Sequence, residues 1–125
     1  MSHPYQYVVI RFVPRVDRGE CLNVGVVLHS QSAGVLQCAW HVDDDRIRAV
    51  APDADLEVLR AALDAVAEMC HTPPPGVDAT LTTQGKRFGW LSAPRSTVLQ
   101  PGPVHGGATD DPDAEVQRLL DRLVR

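Results

Sequence analysis

The chain has 125 residues, 44% hydrophobic and 22% charged, a composition ordinary for a folded soluble domain and a length that fits one domain over residues 1–125. A globule of this size buries about two-thirds of the surface its unfolded chain exposes, so a core forms without metal or disulfide help. The net charge of −4 and a pI near 5.6 argue against whole-surface attraction to nucleic acid or to anionic membrane.

Cys21, Cys38 and Cys70 are odd in number and far apart, which outlines neither a disulfide framework nor a zinc site. The N-terminus has no charged start followed by an apolar run, and no apolar stretch approaches the roughly 18–20 residues that span a bilayer. The expectation is a cytoplasmic protein with no membrane partner and no cofactor. Of the twelve basic side chains only Lys86 is a lysine, a bias that suits planar recognition of carboxylates and phosphates but that a high-GC genome explains more simply.

In chain order, Tyr5–Val13 is the clearest strand, rich in Tyr, Val, Ile and Phe and closed by Pro14. Alternation places Val8, Ile10 and Phe12 on one face and Tyr7, Val9, Arg11 and Val13 on the other. Both faces are largely apolar, so the strand is central in its sheet. Val24–His29 and Val35–His41 are further strands, joined by the hairpin loop Ser30–Gly34. The three strands make an antiparallel meander.

Asp43-Asp44-Asp45 caps a short helical turn through Val50, and Asp53 or Asp55 caps a stronger helix. Leu56, Leu59, Leu63, Val66, Ala67 and Cys70 recur at helical spacing, and the Pro73–Gly76 run ends that helix. Val77–Leu91 carries little periodicity, with Thr80–Thr83 and Thr97–Gln100 readable as short strands. Asp111 then caps a final helix with Pro112 at its first position, Val116, Leu119, Leu120 and Leu123 as its stripe, and acids before arginines as the helix dipole prefers. The fold class is α+β, a mainly antiparallel sheet of three or more strands packed by two helices.

Polar chemistry gathers in two stretches, Arg15–Asn23 and Ser92–His105. In the first, Arg18, Glu20 and Asn23 could hold an anion or move a proton, or could form a solvated loop with its own weak ion pairs. In the second, Arg95 followed by Ser96 and Thr97 resembles an anion cradle, stiffened by prolines, with His105 as a titratable neighbour. Turn formation is the plain alternative for these same residues. Arg11, a charge on an apolar strand face, needs an acid such as Glu20, an open sheet end, or a ligand. Gly85-Lys86 lacks the Ser or Thr of a phosphate-binding loop, and the aspartate run lacks the alternation of a calcium loop. Neither stretch holds a complete catalytic set, and no histidine or cysteine spacing suits a metal.

Several strings together resemble one bacterial family, the domain of unknown function 3037. They are Tyr5-x-Tyr7-x-Val9-Ile10-Arg11-x-Val13-Pro14, Arg18-Gly19-Glu20, Asn23-Val24-Gly25-Val26-Val27, Ala93-Pro94-Arg95-Ser96-Thr97-Val98-Leu99-Gln100 and Pro103-Val104-His105. Cys21 stands where the resemblance leads one to expect an aromatic residue. The resemblance implies no established activity. It does imply a neighbourhood: such proteins look like companions of HipA-like kinases encoded beside them, in a regulatory, toxin–antitoxin-like pair.

Two functions follow as expectations. One is a non-enzymatic interaction module for a HipA-like kinase. The other is a small domain or enzyme that holds a phosphorylated or carboxylated molecule with Arg95, Ser96, Thr97 and His105 assisted by Arg11, Arg18, Glu20 and Asn23, which requires the two stretches to meet. Nucleic-acid binding through Lys86–Arg95 is disfavoured by the overall charge. Self-association through a free sheet edge or the Trp40 face is compatible with the sequence.

Overall fold

Strand β1 (His3–Phe12) is hydrogen-bonded along both of its edges, and the other elements are arranged around it. The structure, a computed structural model, describes residues 1–71, 83–95 and 97–125. On one side β1 pairs antiparallel with β2 (Leu22–Ser30), which pairs with β3 (Val35–Trp40), so the expected meander forms. Gly34 takes a positive φ of 66° to close the β2–β3 turn. A register shift between Ile10 and Arg11 leaves Val24 without an opposite residue on β1, a bulge that turns Val24 into the core.

On its other side β1 meets two short strands in line. β4 (Leu99–Pro101) pairs with Ile10–Phe12 and β5 (His105–Thr109) pairs with His3–Tyr7. They are two ends of one edge segment. Pro101 and Pro103 have no N–H to donate, and the Gly102 N–H carries the ladder between them with a 2.8 Å bond to the Val9 carbonyl.

Helices cover both faces. α1 (Asp44–Val50), α2 (Leu56–Met69) and α3 (Gln84–Ser92) cover the face of Val8, Ile10, Phe12, Val27 and Leu36 with Ile47, Leu59, Leu63 and Phe88. α4 (Pro112–Leu123) covers the opposite face, setting Val116, Leu119 and Leu120 on Tyr5, Val26, Leu28 and Ala39. The alternation read from β1 accounts for this division. The architecture is α+β, a five-stranded antiparallel sheet with four helices.

Two helices were expected to pack the sheet, beside a short turn ending at Val50. That turn is α1, capped by Asp43, and Asp55 rather than Asp53 caps α2. α3 lies in a stretch that carries little periodicity. Of the strand read at Thr80–Thr83, residues 80–82 lie outside the described residues, and Thr83 is the N-cap of α3. The second polar stretch is likewise more ordered than a loop, since it includes β4 and the first residue of β5.

α4 is tied down at both ends. At its start the Tyr5 hydroxyl donates to Glu115 Oε2 at 2.8 Å, and Arg118 grips the same carboxylate. At its end Asn23 Nδ2 donates to the Leu123 carbonyl at 3.0 Å and Arg46 to the Val124 carbonyl at 2.9 Å, satisfying acceptors the helix leaves open. Tyr5 reaches Glu115 only because its ring crosses Gly107. A Cβ on Gly107 would stand 2.6 Å from the Tyr5 ring and hydroxyl.

Gly107→Ala therefore costs about 1–3 kcal/mol in urea unfolding, the ordinary penalty of overpacking, and costs much less in a Tyr5→Ala background. The Arg118 hydrogen bond, helped by that of Tyr5, holds the Glu115 carboxyl below its usual range against the opposing effect of burial. A carboxyl depressed by folding stabilises above its unfolded value, about 4.3, and loses that contribution as pH falls through the folded one. Unfolding of Glu115→Gln followed from pH 7 to pH 3 accordingly shows a smaller loss of stability below about pH 4 than the wild type.

Candidate functional site

β1 ends at Phe12 because Pro14 cannot continue the ladder, and the chain turns out of the sheet there. Val13 makes one more contact, donating its N–H to the Val98 carbonyl at 2.7 Å. That bond ties the chain just before the first polar stretch to the second. Beside it opens a cleft of about 760 Å³, within the size range of small-ligand sites. The loop after β1, the α1–α2 connection, the first turns of α2 and the segment entering β4 all line it.

The lining is mostly apolar. Phe12 and Leu59 are buried, while Val50, Val58 and Val98 are exposed within it. Val58 is 63% exposed and Val98 50% exposed, a cost accepted at the surface rather than in a core. The charged groups on the lining are Arg15, Arg18, Glu20, Asp53 and Asp55, two positive and three negative. Most are already engaged. Arg15 Nη2 bonds Asp17 Oδ2 at 2.8 Å, Arg18 bonds Glu20, and Asp55 accepts the N–H groups of Glu57 and Val58 as the cap of α2. Gly19, at φ 74°, lets the loop fold back so that the N–H groups of Arg18 and Gly19 both reach the Arg15 carbonyl at 3.1 Å.

The residues read as a candidate site separate into three places. Arg18, Glu20 and Thr97 line the cleft. Arg95 does not reach toward it: its guanidinium lies 4.4 Å from the Trp90 ring centroid and donates to the carbonyls of Trp90 and Ala93, closing the end of α3. Ser96 lies outside the described residues. Arg11, Asn23 and His105 sit across the sheet, on the face that α4 partly covers. Arg11 stands between Asn23 on β2 and Gln100 on β4, and His105 stands beside Tyr7 with ring centroids 5.4 Å apart. Glu20, considered as a partner for Arg11, is bound to Arg18 instead.

The sequence reading did not identify the valines of the cleft. Val58, Leu59 and Ala62 share one stripe of α2, wider than the Leu56–Leu59–Leu63 seam alone requires. That excess width was the signal for an apolar surface beyond the core.

The thiols divide sharply. Burial pushes Cys38 and Cys70 up to about 12, whereas Cys21 is exposed on its loop. At pH 8 an aromatic disulfide reagent therefore titrates one thiol promptly in the folded protein and three after denaturation. Prompt titration of a second thiol would mean that Cys38 or Cys70 becomes exposed. Among the described residues no three His, Cys, Asp or Glu side chains are grouped to hold a metal, and no helix is long and apolar enough to cross a membrane.

Searches of curated proteins and of solved structures each returned no match. The model of a family described as protein of unknown function (DUF3037) matches residues 7–124, nearly the whole chain, and the protein belongs to that family.

Proposed function

We propose that this protein is a non-enzymatic interaction module that receives an apolar segment of a partner protein in the cleft between its two polar stretches. The observation that supports this reading is the gathering of exposed apolar side chains. Val50, Val58 and Val98 line the cleft, and Val16 stands in the loop that forms its rim. A rimmed apolar concavity of this kind marks an interaction site on a soluble domain. The partner suggested by the family resemblance is a HipA-like kinase.

The electrostatics favour this reading over an anion cradle in the same place. Arg15 and Arg18 each hold a carboxylate of their own, and the charged lining sums to −1 from two arginines and three acids. A phosphate entering there would have to displace an acid first. An apolar segment, flanked by a basic residue that meets Asp53, needs no such exchange.

Val58→Glu is a clean probe. Position 58 is the third residue of α2, where a carboxylate suits the helix dipole and the capping box, so stability is retained. With the HipA-like kinase as the titrant in calorimetry, Val58→Glu and Val98→Asp are each expected to weaken binding at least tenfold, about 1.4 kcal/mol. Binding that is unchanged in both variants, or no association of the wild type at micromolar concentration, sinks the reading. Binding of inorganic phosphate that Arg18→Gln abolishes supports an anion site instead.

A further inference from the structure

α4 covers only part of its sheet face. It packs on β2, on β3 and on the Tyr5 end of β1, with Tyr7 at the margin of that contact, and leaves less covered a strip that runs from Tyr7 past Val9 to Arg11 beside β5 and β4. All three side chains are half-buried. Arg11 and Tyr7 are four residues apart on one strand, so their Cα atoms are about 13 Å apart.

Arg11 is half-buried, unlike the exposed Arg48 and Arg122, and lacks the acid that five other arginines hold. Arg15, Arg18, Arg60, Arg118 and Arg125 each hold an acid. The Arg11 guanidinium has neither an ion pair nor a hydrogen bond among the described residues. Its two cross-strand neighbours, Asn23 and Gln100, are neutral amides, turned by their own bonds to the Leu123 and Thr97 carbonyls, and bring no counter-charge. Gly102 leaves room for it. A Cβ there would lie 3.0 Å from Arg11 Cζ and 3.1 Å from Nη2, so the missing side chain is the space the guanidinium occupies. A positioned, half-desolvated cation with no counter-charge calls for an anion from outside. At the other end of the strip, Tyr7 and His105 form a tilted ring pair, with His105 exposed.

We propose that this open strip is a second docking surface, which takes an acidic segment of a partner protein in extended form. One carboxylate sits on Arg11, and an aromatic side chain a few residues away packs on Tyr7 and His105. The charge is complementary, and the spacing suits a short peptide better than a small ion, since the strip has an apolar centre at Val9. The site is independent of the cleft: Arg11 and Phe12 are consecutive and point to opposite faces of the sheet.

The test uses a fluorescein-labelled serine heptapeptide carrying one glutamate and, four residues on, one phenylalanine, which share a face in extended form, read by fluorescence anisotropy against the full chain. Binding should fall at least tenfold in Arg11→Leu, should weaken as salt rises, and should persist in Val58→Glu. Arg11→Leu should also melt at the same temperature as the wild type or higher, because an uncompensated charge has left a half-buried site. A lower melting temperature together with unchanged peptide binding assigns Arg11 a structural role and overturns the proposal. No binding of the peptide at millimolar concentration overturns it as well. Tighter binding of a single-stranded oligonucleotide, or inorganic phosphate competing as strongly as the peptide, replaces the acidic segment with another ligand.

Discussion

Everything in this fold answers to one requirement: β1 must be hydrogen-bonded on both edges while its two faces go to different helical layers. β2 meets the first half of that requirement along nearly the whole strand, at the price of a bulge near Arg11. The second half falls to a segment in which Val98 and Gly102 bond β1 while Pro101 and Pro103 fall at the alternate positions that face outward, where a missing N–H costs the ladder nothing. The Gly102 N–H to Val9 carbonyl bond holds that segment in line, so β4 and β5 act as one interrupted edge. Where pairing stops, at Val13 and Val98, the sheet opens and the cleft begins.

The disposition of charge follows the same geography. Loop arginines are matched with acids two residues away, exposed pairs of the kind that contribute at most about 1 kcal/mol. The Tyr5–Glu115–Arg118 group is different, because Glu115 is buried and a helix depends on its position. Gly107 makes that group possible by leaving its own position empty, as Gly102 does for Arg11. Two glycines of the edge segment thus admit two large polar side chains of β1. One of these finds its partner within the chain, and the other finds none among the described residues.

The strong elements were legible from sequence because their signals are local. β1 through β3 carry β-branched residues and a glycine turn, and α2 and α4 carry caps and stripes. α3 was not legible. It holds Gly85 and Gly89, its apolar contacts are mainly Phe88 and Leu91, and its interior includes a buried Arg87. Nor was β5, whose His-Gly-Gly-Ala-Thr has little strand propensity apart from its threonine and is extended where β1 offers an edge. The candidate residues were found but could not be grouped. Whether Arg11 and Arg18 share a site depends on strand facing and loop closure, which residue types do not encode. Arg95 was misleading for a related reason: beside Trp90, a guanidinium has a ring and two carbonyls within its own helix end.

The edge segment also limits how any partner could use both surfaces. The cleft and the open strip lie on opposite faces at the same end of β1, with the three-residue β4 between them. A partner spanning both would cross the outer edge of β4. Pro101 and Pro103 remove N–H donors there, so an added strand would find a broken ladder. Contact across that edge must therefore come from side chains. This favours two separate anchor points, one apolar and one acidic, over a single strand laid along the sheet.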